Sequence, residues 1–308
     1  MKNPLVSIIT PCFNGESYLD RYFESILNQT YSNLELIFIN DGSSDKTEEI
    51  ALSYRSKLEE KGIDYTYIYQ DNAGQAAALN KGLKIFKGDY LTWPDSDDVM
   101  TNDSIEKKVN FLVNNPEYKM VRSNGIYYNE FTKETKRISN STNNKKENIF
   151  EDLLVVSTYG CCGCYMVKSD LFYQIYPNRQ IFESRRGQNW QLLVPCASYS
   201  KCGYIDEDLY IVYETVDSHS RVKLSNEIEI KRLDQFKEIL IDAVNRSKCY
   251  KEETLNLIEA EYARRQFYYA VDDRNKELIK EKYYLIKKYG KVTLQQRLLY
   301  IKCVIFDK

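Results

Sequence analysis

Three carboxylates crowd into four residues of the stretch "YLTWPDSDDVM" (Tyr90–Met100): Asp95, Asp97 and Asp98 follow directly on an apolar, aromatic run. Carboxylates this close repel one another, and each resists leaving water. Such a cluster either faces solvent as a turn or helix cap, or it holds a cation or polar ligand at the end of a buried segment. Asp95 and Asp97 are hard oxygen donors suited to Mg2+ or Mn2+. A divalent ion there could join them to a diphosphate that they would otherwise repel. A fourth carboxylate, Asp41, ends another apolar run, "LELIFIND", and can accept hydrogen bonds from ribose hydroxyls or a base N–H.

These side chains need a scaffold, and the flanking pattern supplies one. "LVSIIT" (Leu5–Thr10) is a short β-branched run that Pro11 is expected to close. Leu19, Tyr22, Phe23, Ile26 and Leu27 then recur at helical spacing. Leu34–Ile39 reads as a second strand, and Asp45 with Glu48 marks a helix start. Thr47, Ile50, Ala51, Tyr54 and Leu58 form the buried face of that helix. Asp64–Gln70 is a third strand, Ala73–Phe86 an Ala-rich helix and Asp89–Pro94 a fourth strand. Strands alternating with helices imply an α/β fold with a mostly parallel, doubly wound sheet, whose ligands bind at the carboxyl ends of the strands. Asp41 and the Asp95–Asp98 cluster both fall at such ends.

The two commonest nucleotide motifs are missing. The loop after the first strand, "TPCFNGES", holds one glycine, whereas a dinucleotide fold wants G-x-G-x-x-G and a P-loop wants G-x4-G-K-[ST]. What is present, in order, is "VSIITPCFNGESYL", "LELIFINDGSSDKT", "DNAGQAAALNKGL" and "GDYLTWPDSDD". These blocks resemble those of the family 2 glycosyltransferases of the GT-A fold, closely over about the first hundred residues. Four blocks in order are more specific than any single motif. The resemblance implies an inverting transfer of a sugar from a nucleotide-diphosphate donor, expected to be a UDP-sugar, in cell-surface polysaccharide assembly. It places the metal on Asp95 and Asp97, the nucleoside on Asp41 and the base pocket on Thr10 and Pro11. Asn14, Asn72, Gln75 and Ser96 lie in the same blocks and are expected around the donor.

The second half departs from the family pattern where the base should be. Relatives carry a Glu-Asp pair before an aromatic residue; "ESRRGQNWQLL" has Gln188 and Asn189 instead, and an amide does not take a proton at neutral pH. Either Glu183, the nearest carboxylate, is the base, or the amides orient the acceptor, or the chain binds the donor without turning it over. Asn80 and Lys81 resemble the "N-K-G" of a subset of relatives and could reach sugar or phosphate, or could serve only their helix. Some relatives use a His where this chain has its single histidine, His219, on metal or diphosphate, with an Arg nearby. Here Arg221 could pair with phosphate. Trp190 could stack on a sugar face or fill the core. A sugar nucleotidyltransferase would want a Gly-rich, basic loop after the first strand, which "TPCFNGES" does not provide.

A net charge of -2 on 308 residues gives no general attraction to nucleic acid. Eight cysteines without a leader, and no apolar run of membrane-spanning length, lead us to expect reduced thiols and a cytoplasmic protein, on the inner face of the membrane if it is peripheral. "CCGC" (Cys161, Cys162, Cys164) has no second C-x2-C pair and no His near it, and reads as a buried strand rather than a zinc site. Arg137–Asn148 reads as a polar, flexible loop. From Glu227 the pattern turns helical, with Ile228, Leu233, Phe236, Ile239, Leu240 and Ala243 on one face. The expected division is thus a catalytic domain over 1–225 (1–100 for the nucleotide-sugar, 101–225 for the acceptor) and a helical appendage over 226–308. Arg274–Lys302 carries nine Lys or Arg against two Glu. That basic run, followed by "LLYIKCVIF", is read first as a solvated face of helices packed on the domain or on a second subunit. The alternative is docking on an anionic membrane that bears a lipid-linked saccharide acceptor.

Overall fold

The computed structural model describes residues 3–184, 187–214, 224–248 and 251–306. Its first half alternates as expected: β1 (Val6–Cys12), α1 (Leu19–Leu27), β2 (Leu34–Asp41), α2 (Thr47–Ser53), α3 (Arg55–Glu60), β3 (Asp64–Gln70), α4 (Gln75–Ile85) and β4 (Tyr90–Thr92). The four strands run parallel in the order β3-β2-β1-β4. Every residue of β1 and β2 is buried, because helices cover both faces of the sheet. That is why these strands read as predominantly apolar runs, with the few polar residues such as Ser7 and Glu35 buried as well, rather than as alternating ones.

Next come β5 (Val99–Met100), α5 (Ser104–Asn114), β6 (Met120–Asn129), β7 (Thr135–Arg137), α6 (Phe150–Leu154), β8 (Tyr165–Lys168), α7 (Ser169–Ile175), α8 (Gln188–Tyr199) and β9 (Cys202–Glu214). β8 inserts antiparallel between β4 and β6, so the sheet continues as β4-β8-β6-β9-β5. β6 and β9 are parallel, while β5 and β7 add antiparallel edges. Four helices follow: α9 (Asn226–Asn245), α10 (Glu252–Asp272), α11 (Lys276–Tyr289) and α12 (Leu294–Tyr300), then a wide helical turn over Ile301–Phe306. Ser225 caps α9, its hydroxyl accepting from the Ile228 N–H.

Several local expectations need correction. Pro11 does not close β1 but lies within it, opposite Ile39. β4 pairs only with Val6–Ile8, so beyond Ile8 one side of β1 has no ladder to which an N–H could donate. Cys162–Cys164 is a short 3-10 turn leading into β8, not a strand. The 137–148 segment is not uniformly loose: Asn144 is buried, and a 3-10 turn spans Thr142–Lys145. Ile228 is 44% exposed, because the first turns of α9 stand off the core that Ile239, Leu240 and Ala243 enter.

Leu240, Ala243, Val244, Ile258 and Tyr262 share one continuous core with the sheet. Further along, Ala263, Phe267, Ala270, Ile279, Ile286 and Cys303 form a small cluster of their own. Leu294, Leu298, Ile305 and Phe306 remain mostly exposed. Among the described residues no helix is long and apolar enough to cross a membrane.

Candidate active site

β4 delivers Trp93 and Pro94 into the core, and the chain then turns so that Asp95 stands at the carboxyl end of the parallel strands. Both Asp95 oxygens are engaged. Oδ1 accepts from Gln75 Nε2 at 2.7 Å and Oδ2 from the Cys162 thiol at 3.1 Å, while the Asp95 N–H donates to Tyr210 Oη at 3.1 Å. Asp97 is exposed, and Arg21 Nη2 donates to its main-chain carbonyl at 2.9 Å. Asp98 is buried, accepting from the Tyr213 N–H at 3.1 Å. Burial, then the charge of Asp97, pushes the Asp95 carboxyl up to about 6. Asp97 is also raised, and Asp98 is raised well above the usual carboxylate range by burial and its two neighbours. The cluster is therefore uncomfortable as three bare charges.

Asp41 is buried at the end of β2 and organises the facing loop. Its Oδ1 accepts from Gln70 Nε2 at 2.6 Å and the Ala73 N–H at 2.9 Å, and its Oδ2 from the Gly74 N–H at 2.9 Å. Asn72, itself exposed, donates to the Asp41 carbonyl at 3.0 Å. Gly42 makes this closure feasible: its φ is 74°, and a Cβ there would stand 2.5 Å from the Asn72 nitrogen. α4 thus starts with its N-terminal turn, through Gln75, against Asp95.

Thr10 lies under the cluster, its hydroxyl donating to the Pro94 carbonyl at 3.2 Å, and the neighbouring Pro11 is buried. Asn14, with φ 53°, stitches the first loop to the second: its N–H donates to Ser43 Oγ at 2.9 Å, and its Oδ1 accepts from the Ser44 N–H at 3.0 Å. Ser96 is buried beside Cys12 and Tyr18.

Two of the second-half residues join the cluster. Gln188 Nε2 donates to Gln75 Oε1, completing a chain Asp95–Gln75–Gln188. Asn189 Oδ1 accepts from the indole N–H of Trp93 at 3.2 Å. Glu183 stands further off, its Oε1 accepting from Asn80 Nδ2 at 3.4 Å and Gln180 Nε2 at 3.3 Å. Asn80 also clips the Ile181 main chain in both directions at 2.9 Å. That places Glu183 about one and a half turns, or ~7.5 Å, along α4 from Gln75. Lys81 is exposed. Trp190 is packed as core, its N–H donating to the Leu153 carbonyl at 2.9 Å and its ring edge-on to Phe236. His219 and Arg221 lie outside the described residues.

Sequence reasoning missed Cys162, Tyr210 and Arg21. Their separations from the cluster, 67 residues for Cys162 and 115 for Tyr210, leave no local signal. Tyr210 is seated by Gly163, where a Cβ would fall 1.9 Å from the Tyr210 ring. Gly163→Ala should therefore destabilise the fold by about 2 kcal/mol and shift Tyr210 off the Asp95 main chain. Equilibrium unfolding in urea checks it, and an unchanged midpoint would refute it.

The donor chemistry fits a divalent cation. Asp95 and Asp97 are hard oxygen donors near enough for the charge of Asp97 to act on Asp95, and Mg2+ in particular is bound by one or two carboxylates with substrate phosphate completing the shell. Among the described residues no group of three or more His, Cys, Asp or Glu is gathered as a metal site.

A parallel α/β sheet with this cluster at its carboxyl edge, an antiparallel insertion and a helical C-terminal region has the GT-A glycosyltransferase fold. It resembles Staphylococcus aureus TarS in complex with UDP, with a TM-score of 0.61 over 97% of this chain and 78% of that one, at 14% identity. The model of glycosyl transferase family 2 matches residues 7–175, and the chain belongs to that family. An uncharacterized glycosyltransferase of Rickettsia typhi is 46% identical over 110 residues, 36% of this chain and 32% of that protein. The putative teichuronic acid biosynthesis glycosyltransferase TuaG of Bacillus subtilis is 37% identical over 110 residues, 36% of this chain and 42% of that protein. The matched parts thus span less than half the length of either relative.

Proposed function

We propose that this chain transfers a sugar, with inversion, from a nucleotide-diphosphate donor, UDP-linked, to a hydroxyl of a saccharide or lipid-linked saccharide in surface-polysaccharide assembly. The observation that carries the reading is the Asp95–Gln75–Gln188 chain. It ties the acidic end of β4 to the N-terminal turn of α4 and to the start of α8, where an acceptor would meet a donor. Membership of the family and the UDP complex of TarS support the donor class.

In this reading Mg2+ or Mn2+, held by Asp95 and Asp97, would act as a Lewis acid on the leaving diphosphate. Gln75 and the Cys162 thiol fix the Asp95 carboxylate, and Tyr210 fixes its main chain. Asp41 holds the 70–74 loop closed beside the nucleoside, and Thr10 and Pro11 floor the base pocket. Glu183 takes the acceptor proton, while Gln188 and Asn189, both already hydrogen-bonded, position the acceptor. Residues 1–100 serve the donor and 101–225 the acceptor. Residues 226–308 are a helical appendage whose exposed Leu294, Leu298 and Phe306 suit contact with a membrane or a second copy.

Thermal unfolding against UDP, GDP, CDP and dTDP, each with Mn2+ and then with excess chelator, tests the reading. One diphosphate, UDP, should stabilise the fold by about 2.7 kcal/mol at a hundred times its dissociation constant. The gain should vanish with chelator. No shift with any of the four would overturn the nucleotide site.

A further inference from the structure

The packing of α12 holds one side of the helix inward and leaves the other uncovered. The helix is entered through a reciprocal cap: the Gln296 N–H donates to the Thr293 hydroxyl at 3.2 Å, and the Thr293 N–H donates to Gln296 Oε1 at 2.9 Å. The cap turns Gln296 inward, where it is 1% exposed, and so sets the phase of the helix. Further along, Cys303 enters the small cluster with Phe267 and Ile286, and Tyr300 stacks on Tyr283 at 4.2 Å. Leu294, Leu298, Ile301 and Ile305, spaced by four, three and four residues, gather on the opposite side. They are 73%, 59%, 38% and 58% exposed. A stripe of large apolar side chains held outward by a packed inner side marks an interaction surface.

Charge decides what it meets. From Lys282 to Phe306 the chain carries six Lys or Arg and no Asp or Glu, in a protein of net charge -2. Lys282 is paired with Glu281 at 2.7 Å. Lys287, Lys288, Lys291, Arg297 and Lys302 are all exposed. Arg297 stands next to Leu298 and Lys302 next to Ile301, both away from the inward side that Gln296 and Cys303 mark. Cations bordering an apolar stripe suit a bilayer surface, where their stems lie on hydrocarbon and their heads reach phosphates. A second copy suits the stripe less well. A symmetric contact sets a face against itself, and this one would bring cations together with no carboxylate in the segment to answer them.

We infer that this face docks on a lipid bilayer rich in anionic headgroups. The apolar stripe enters the boundary between headgroups and acyl chains, and the lysines and Arg297 meet the lipid phosphates. Docking there brings the enzyme to the surface that bears a lipid-linked acceptor. Its purpose rests on that part of the proposed function, while the binding itself needs neither donor nor acceptor.

The test mixes the full chain with sedimentable vesicles of phosphatidylcholine, with and without phosphatidylglycerol, in chelator and without nucleotide. Binding to the anionic vesicles should be at least about tenfold tighter than to the neutral ones and should weaken as sodium chloride is raised. Leu298→Ser with Ile305→Ser, and separately Arg297→Gln with Lys302→Gln, should each weaken it at least about tenfold. All four side chains are exposed, so the melting temperatures should stay at the wild-type value. The emission of Leu298→Trp, corrected for the two native tryptophans, should shift to the blue on anionic vesicles alone. If a double variant does not fold, that shift decides. No binding, equal binding to both vesicles, or binding that either double variant leaves unchanged overturns the docking. A dimer in solution that Leu298→Ser with Ile305→Ser dissociates, in a protein that ignores vesicles, gives the face to a second copy instead. Vesicle binding without any diphosphate shift keeps the docking and removes the donor site; the converse keeps the donor site and removes the docking.

Discussion

Asp95→Asn is expected to lower kcat/KM for sugar transfer by about 10^3-fold and, in the absence of metal, to make the protein more stable rather than less. The first effect follows from removing one of two carboxylates proposed to hold the cation that offsets charge on the leaving diphosphate. The second follows from the repulsion that the wild-type cluster contains. Burial and Asp97 raise the Asp95 carboxyl from 3.8 to about 6. Because the folded-state value lies above the unfolded one, the penalty is absent below about pH 4, where both states hold the proton. It grows as pH rises to about 6 and is constant beyond. Its size at neutral pH is on the order of 2–3 kcal/mol. Metal-free wild type should therefore lose stability between pH 4 and 6, and Asp95→Asn should lose less. Added Mn2+ should reverse the order of the two at pH 7. Paired denaturation curves with and without chelator read all of this. A variant that stays active, or is less stable than wild type without metal, would remove Asp95 from the role given to it.

Glu183→Gln should lower kcat by about 10^2-fold or more, with the dissociation constant for the nucleotide diphosphate unchanged. The geometric reason is the division of labour on the segment that enters α8. Gln188 is tied to Gln75 and Asn189 to the Trp93 indole, so both amides are structural to the pocket wall and neither can hold a proton. Glu183, on the same segment, is exposed, and among the described residues it accepts long hydrogen bonds from Asn80 and Gln180. In the proposed mechanism it is the carboxylate that meets the acceptor hydroxyl. Single-turnover rates with the cognate donor separate the outcomes. Full activity in Glu183→Gln would move the base elsewhere. No turnover by wild type with any acceptor, despite tight diphosphate binding, would make the chain a donor-binding protein.

The first hundred residues were almost wholly legible. β1, β2 and β4 are buried on both faces, so they appear as largely apolar runs bounded by polar loops, while β3, at the end of the sheet, is only partly buried yet spans Asp64–Gln70 as the sequence implies. The error at Pro11 came from treating proline as a terminator, when a strand whose neighbour has already stopped tolerates it. The second half was less readable. β8 runs against its neighbours and joins residues far apart in sequence, and no local period encodes that insertion.

By itself, then, the sequence determined the class of fold, the family, and the presence of Asp41, Asp95 and Asp97 at strand ends. These are local properties: apolar period, turn chemistry and motif order lie within short windows. Only the tertiary structure decided which groups surround them. Cys162 and Tyr210 reach Asp95 across 67 and 115 residues, and Gln188 reaches Gln75 across 113. Such contacts arise from the packing of whole elements, and a chain read in order carries no distance between residues that meet only when the sheet closes.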